Sequence, residues 1–574
     1  MNVRREFSRV ETGREGVALA YAVFGTFVVA SMVSVMFTMA GYSDRQAEVK
    51  RGHSKARVLA EGALSAVERD LSTALANWES PISQGTKTLG GIDIDYSVDA
   101  IGAETTVTDV SGILSIVQPY EIMTRTKVEG VVGSAHKMVN VEWTPLFQFA
   151  VFYDKDLEVH AGPDMTLSGR VHSNQDMYLG GGATITMDTN YVHAAGSIYR
   201  AKKTGDAATG NVDIRRWVEN PFDSLEPSEF NQMLSQSQLG VASESGYDSA
   251  FRDGVDSNGD GDFDDGGDWL PFEFGAAELW SQPFGYGGGS GQTVQTGQHG
   301  VQVSVAPNVG SIAMFNDDGS PGYFHGNAGL VVLVNGSVVT VTDGAGNDLT
   351  SVLGSAVSTS EIADTRQSQG GSELTSVVEI DISALNASPH FPSNGLVYAA
   401  HTNMGEGAEA SGVVLKNGAE LAADLTIVSE GPVYVQGDYN VVDKKAASVI
   451  GDAVNLLSNG WDGSKVAGSL PTASETTYNF AMITGSYSSD EDRYNGGLEN
   501  LPRFHENWSG VSCNISGSFV NIYDSEYATG DWRHGSDRYR APLRNWEYDR
   551  SFNSVAGLPP FSPMTVSVKS VVTW

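Results

Sequence analysis

The chain has 574 residues, 35 Lys/Arg against 70 Asp/Glu, and a single Cys. A net charge of −35, all of it carried after residue 80, repels phosphate backbones and anionic head groups and argues against nucleic-acid binding. One cysteine, Cys513, excludes an internal disulfide, so the body is held by its core and any metal it binds.

The first element is the stretch from Gly16 to Gly41, which carries no charged residue. It exceeds the about 7 to 15 residues of a secretory h-region and reaches the about 20 needed to span a bilayer. A retained single-pass helix is therefore expected, with cleavage near Thr38-Met39-Ala40 as the alternative. Arg4, Arg5, Arg9 and Arg14 precede the run and Arg45, Lys50, Arg51, Lys55 and Arg57 follow it, so flanking charge does not orient it. The Gly, Ser, Thr and Asn content of the remainder places the body outside the cytoplasmic membrane. Gly16 and Ala20, Ala22 and Thr26, and Ala30 and Ser34 put small residues four apart, which permits close helix approach.

Beyond the run, Ala60, Leu64, Val67, Leu71, Ala74 and Trp78 recur at helical spacing and predict an amphipathic helix that ends before Pro81. Unbroken from residue 16 to 78, the helix would be about 95 Å long at 1.5 Å per residue, with Gly41 and Gly62 as weak points. From Gly91 to Trp143 the apolar period changes to two, which predicts an antiparallel sheet on the outer half of the helix. Short strands punctuated by Gly or Asp follow over 146–202, as in a β-solenoid or stacked sheets, at intervals too irregular for a true repeat. Residues 203–300 read as an insertion, with a short helix in SLEPSEFNQMLSQSQLG. Strands resume over 301–574, with a helix in KKAASVIGDAVNLLSNGW and a proline-stiffened strand leaving the domain at the end.

The fold class expected is thus mainly β with a long N-terminal helix. Its units are a tail (1–15), a membrane helix (16–41), a continuing amphipathic helix (42–80), an antiparallel sheet (81–145), a solenoid-like block (146–202), an insertion (203–300) and a β-rich ectodomain (301–574).

The sharpest local motif is DSNGDGDFDDGGD. Asp256, Asn258, Asp260 and Asp262 occupy alternating positions that supply oxygen ligands to calcium, and Gly261 stands at the sixth position, where the loop turns. Gly267 replaces the bidentate Glu of the twelfth position, so Asp264, Asp265 or Asp268 would close the shell. A structural Ca2+ stapling the insertion is one reading and a solvated acidic turn the other. His160, His172 and His193, with Asn174 and Asp176 nearby, read as a polar ladder or as groups converging on a metal or substrate. No phosphate loop, dinucleotide fingerprint, His-Glu-x-x-His or Gly-x-Ser-x-Gly is present, and FHENWSG lacks the second His of a zincin. Trp508, Trp532, Trp546, Phe504, Phe519, Tyr523 and Tyr548 favour core packing over a carbohydrate platform.

At REGVALAYAVFGTFVV and KARVLAEGALSAVERDL the chain resembles the amino-terminal region of PilX-type pilus assembly proteins, minor pilin-like components of type IV pilus systems. Gly16, Ala18 and Leu19 match the opening of the apolar helix, and Ala60, Glu61, Gly62 and Leu64 match its Ala-Glu-Gly step. The Glu that major pilins carry five residues into the mature helix has no counterpart: Ala18 stands there counted from Gly13, and Tyr21 counted from Gly16. The resemblance implies a helix that sits in the membrane and then packs among other pilin-like subunits in a filament core. The C-terminal stretches resemble ectodomains that accompany such amino termini in uncharacterised bacterial surface proteins.

The expected function is a membrane-anchored filament component, a minor subunit of a type IV pilus or related filament. Its ectodomain would present an adhesive surface to a glycan or protein ligand. The alternative is an envelope-tethered polysaccharide lyase or hydrolase, for which Arg170, His172, Asn174 and Asp176 form the one compact candidate set.

Overall fold

The computed structural model describes residues 14–215 and 294–573, save a few single positions and short stretches, the longest being 306–311, 365–373, 405–410, 464–468 and 533–537; within 216–293 it describes only Met233–Leu234 and Ala250–Phe251. A single helix, α1 (Arg14–Ala76), spans the apolar run and the amphipathic stripe without a break. Gly41 and Gly62 do not interrupt it, because neither is followed by proline or by a competing cap.

The two halves of α1 live in different surroundings. Residues 17–51 are exposed, with Val28 half-covered. From Gly52 onward one face is buried, at Ala56, Ala60, Ala63, Leu64, Val67 and Leu71. That face lies on an antiparallel sheet of β1 (Gln84–Leu89), β2 (Ile92–Ala100), β3 (Thr105–Thr108), β4 (Leu114–Val128) and β5 (Val131–Pro145). Alternation puts Val98, Ile122, Ala135, Val139 and Val141 toward the helix. The buried Thr124 hydroxyl donates to the Ala60 carbonyl at 2.8 Å. Lys137 Nζ donates to both carboxylate oxygens of Glu68, at 2.8 and 2.6 Å.

The last strand, Met564–Thr573, returns to this sheet and pairs antiparallel with β5, Met564 opposite Pro145 and Val568 opposite Val141. Sequence reading had it leaving the domain. Everything between Pro145 and Met564 is therefore an insertion between two neighbouring strands, and the Leu146 amide donates to the Pro563 carbonyl where chain leaves and re-enters.

That insertion is a stack of parallel strands. Val151–Tyr153, Val171–Ser173 and Val192–Ala194 pair in register, as do Leu157–Val159, Met177–Leu179 and Ile198–Tyr199, and as do Met165–Ser168, Ile185–Asp188 and Val212–Arg215. The first two series advance by 20 or 21 residues per turn, a period hidden in the sequence by variable corners. Corner aspartates join successive turns. Asp156 Oδ1 accepts from the Asp176 amide at 3.0 Å, Asp176 Oδ1 from the Ser197 amide at 2.8 Å, and Asp164 Oδ1 from the Thr184 amide at 2.9 Å.

A second stack pairs Leu330–Asn335, Leu396–His401, Leu425–Val428, Ala447–Gly451, Thr476–Thr484 and Ser512–Asn521 in parallel, with Gly412–Lys416, Val433–Gln436 and Val454–Leu457 on the facing sheet. Its final strand pairs with the first strand of the other stack, Phe519 opposite Val151. The chain thus enters this stack of strands in its middle, builds outward, resumes at the far end and builds back until the halves meet.

Stretch KKAASVIGDAVNLLSNGW, expected as a helix, contains two strands, Ala447–Gly451 and Val454–Leu457. Both are buried along their whole length, and the bend at Asp452-Ala453 shifts the apolar phase into an imitation of 3.6-residue spacing. Within the segment expected as a helix after residue 223, Met233–Leu234 is instead a strand paired with Ile214 and Arg215. Its other residues lie outside those described.

Candidate functional site

The histidines separate into two environments. His172 and His193 are cross-strand partners on adjacent turns, and the His172 ring stacks on Phe152 at 5.2 Å, so these two continue an aromatic ladder. Asn174 Oδ1 lies 3.0 Å from His172 Nε2, and burial holds the ring well below the usual histidine range, at about 4, against that hydrogen bond. His160 lies elsewhere, stacked on Tyr494 at 5.3 Å, and burial, assisted by Lys202, pushes it down to about 3.

Arg170, His172, Asn174 and Asp176 make structural bonds. Arg170 donates to the carbonyls of Gln148 and Gly112 at 3.0 and 2.7 Å and to Asn553 Oδ1 at 2.9 Å. The Asn174 amide group donates to Asp154 at 2.8 Å and to the Ser304 carbonyl at 2.7 Å. Asp176 serves the corner ladder described above. Residues Asp256, Asn258, Asp260, Asp262, Asp264, Asp265 and Asp268 lie outside the described residues. Among the described residues, no group of three or more His, Cys, Asp or Glu is placed to hold a metal ion.

The concavity with the most varied chemistry is one of about 490 Å³ whose lining includes His160, Lys202, Tyr494, Glu499, Asn500, Trp532, Tyr539 and Arg544. A 3-10 turn, Leu498–Asn500, forms its floor. The turn begins after Gly496 and Gly497, both in the left-handed region at φ 97° and 70°, and a Cβ on Gly496 would stand 2.4 Å from the Trp532 ring. Only glycine lets that backbone pass under the indole. Tyr494 meets Trp532 edge to face, 5.0 Å between centroids.

Glu499 is 4% exposed. Its Oε2 accepts from the His160 amide at 3.2 Å, and the Tyr494 hydroxyl lies 3.4 Å from Oε1. Burial pushes the carboxyl up to about 7, against the opposing pull of Arg544. Arg544 donates through Nε and Nη2 to the Glu499 carbonyl at 3.2 and 3.0 Å, and its guanidinium lies 5.5 Å from the centre of the Trp546 ring. Its Nη1 and His160 Nε2 have no hydrogen-bond partner among the described residues. Behind the pocket Glu158, 1% exposed, accepts from Asn495 at 3.2 Å, and burial raises it to about 6.

Sequence reading did not single out Glu499 or Arg544, because the residues that build the pocket are separated by more than 300 positions and meet only through the stacking register. Of the aromatic residues it did single out, Trp508, Trp546, Phe504 and Phe519 lie in the core between the sheets, and Trp532 lines the pocket.

No family model matches the chain, and no curated protein matches it. Among solved structures, the crystal structure of competence-associated pilin ComZ from Thermus thermophilus aligns over 92% of this chain and 97% of that one, with 9% identity and a TM-score of 0.28. At that score the likeness carries no argument about fold or function.

Proposed function

We propose that this chain is a membrane-anchored, pilin-like surface protein, a minor component of a type IV pilus or related filament, whose stacked-strand insertion is displayed as a binding or adhesive ectodomain. The observation that supports this is the division of α1. Its outer half is fixed to the sheet, while its first half projects with Val17, Leu19, Phe24, Phe27, Met36 and Phe37 each more than half exposed. Such a surface is unstable in water, at about 25 cal/mol per Å² of apolar area, and is covered either by acyl chains or by like helices.

Polar side chains in the run fit either cover. Thr26, Ser31 and Thr38 each donate to the carbonyl four residues back, at 2.6, 2.8 and 2.8 Å, which satisfies those three hydroxyl donors in an apolar medium. The small-residue pairs from Gly16 to Ser34 would let helices approach closely once they exchange lipid for one another.

The test is to shear cells, separate released filaments from membranes, and blot both for the protein. Recovery in the filaments supports the assembly reading. Recovery in the membrane pellet alone reduces α1 to an anchor. Calcium binding by Asp256 to Asp268 belongs to this proposal on sequence spacing, and titration of calcium into the wild type and Asp260→Asn tests it.

A further inference from the structure

We infer that the two stacks form a clamshell, hinged where Val151–Tyr153 pairs with Ser512–Asn521 and latched on the facing side by the Glu499 carboxyl, and that rising pH releases the latch. This goes beyond the binding-ectodomain reading and does not depend on filament assembly.

The first support is a break in strand pairing. On the hinge side one sheet runs through both stacks, with Phe519 opposite Val151 and Asn521 opposite Tyr153. On the facing side Leu157–Val159 ends one sheet and Arg503–Phe504 ends another, so no ladder crosses there among the described residues. Between these two sides, Met165–Ser168 lies against Leu543–Tyr548 with a long bond from the Tyr548 amide to Ser168 Oγ at 3.5 Å. A second support is that the break is the pocket itself: His160, Pro163 and Lys202 of one stack face Tyr494, Glu499 and Trp532 of the other across about 490 Å³. Bending at the paired strands widens it.

The third support is the chemistry of the closure. In place of a neighbouring strand, Glu499 Oε2 takes the His160 amide at 3.2 Å, and Asn495 Nδ2 donates to Glu158 Oε1 at 3.2 Å. Burial keeps Glu499 protonated up to about 7 and Glu158 up to about 6. Once ionised, Glu499 keeps its bond to His160 but loses hydration that a single amide does not replace. Its titratable surroundings are Arg544 and Tyr539 from the second stack, Tyr494 from the loop between, and Tyr153, Glu158 and His160 from the first. Lys203 and Asp156 act on Glu158, and Lys202 on His160. Arg544 spends its Nε and Nη2 on the Glu499 backbone carbonyl, and His160 is held neutral by burial. A carboxyl near 4.5 in an opened, hydrated cleft and about 7 in the closed one favours closure fully below 4.5, and that advantage is lost as pH rises through about 7.

The test is double electron–electron resonance on the full chain in detergent, in a Cys513→Ser background. Spin labels at Thr204→Cys and Arg540→Cys, both exposed, report across the pocket, and labels at Thr359→Cys and Arg540→Cys report within the second stack. Across the pocket, one short distance is expected at pH 5.5, and a longer component, larger by about tenfold or more, at pH 8.5. The pair within the stack is expected to stay unchanged. Glu499→Gln, which remains neutral and still accepts from the His160 amide, is expected to hold the short distance at both values. An unchanged distance across the pocket overturns the proposal. So does the same lengthening in Glu499→Gln, or lengthening of the pair within the stack, which would mean that the stack itself unfolds.

Discussion

Gly133 of β5 and Ala56 of α1 meet backbone to backbone: a Cβ on Gly133 would stand 2.5 Å from the Ala56 carbonyl carbon and 2.7 Å from its Cβ. Helix and sheet approach this closely because both sides are small. The contact sits one turn beyond Gly52, at the end of the sheet nearest the exposed half of α1, so it fixes where the supported helix begins.

Gly133→Ala therefore forces helix and sheet apart. Overpacking of this kind costs about 1–3 kcal/mol, and a lower urea midpoint in detergent is the expected result. Gly62→Ala has the opposite sign. That glycine is exposed on α1, an added Cβ would meet only the tip of Leu89 at 3.4 Å, and helix propensity favours Ala by about 0.5–1 kcal/mol.

The Glu68–Lys137 pair holds the same interface farther along. Side-chain exposures of 13% for Lys137 and 21% for Glu68 put it between a screened surface pair, worth about 0–1 kcal/mol, and a buried one, whose disruption costs about 3–5 kcal/mol. Lys137→Met is expected to destabilise by about 1–2 kcal/mol, within those limits. A double-mutant cycle with Glu68→Gln should show positive coupling that shrinks only slightly in high salt.

Cys513 lies at 0% exposure in the core, and burial is the main cause that pushes its thiol up to about 12. A thiol so protonated and covered is a poor nucleophile. The folded chain is expected to show no reaction with a disulfide reagent, and one thiol per chain once urea unfolds it.

His172 and Glu499 respond to pH in opposite directions. His172, near 6.5 when unfolded and about 4 when folded, releases its proton on folding, so its contribution to stability is present above 6.5 and is lost as pH falls through about 4. Glu499, near 4.5 unfolded and about 7 folded, takes up a proton on folding. Its contribution is present below 4.5 and is lost as pH rises through about 7. Glu499→Gln is accordingly expected to gain stability relative to the wild type between pH 5 and pH 8, measured as the difference in urea midpoints at those two values. His172→Phe, which can still stack on Phe152, should lose less than the wild type between pH 7 and pH 4.

Much of this architecture was legible in the residues. The uncharged run and the stripe at Ala60, Leu64, Val67 and Leu71 specify α1, because a one-sided helix keeps its period visible, and the alternation in β4 and β5 survives because one face of that sheet meets α1. The stacked parallel strands were less legible, since strands such as Ala447–Gly451 are buried on both faces and lose their alternation. Asp156 and Asp164 were visible only as acidic turn residues, and Asp176 also as a candidate for a polysaccharide-active site, though each bonds the next turn. The return of Met564–Thr573 to β5 and the convergence of His160, Glu499 and Arg544 depend on register between distant segments, which no local pattern carries.

The central claim is that one continuous helix is shielded over its first half and displayed over its second. Membrane-impermeant maleimide applied to intact cells tests it most directly, in a Cys513→Ser background carrying either Ser31→Cys or Arg57→Cys. Residue 31 lies within the apolar run and residue 57 on the exposed side of the supported segment. The account predicts rapid labelling at 57 and none at 31 until detergent is added. Equal labelling at both positions would contradict it, because the first half of α1 would then stand in water.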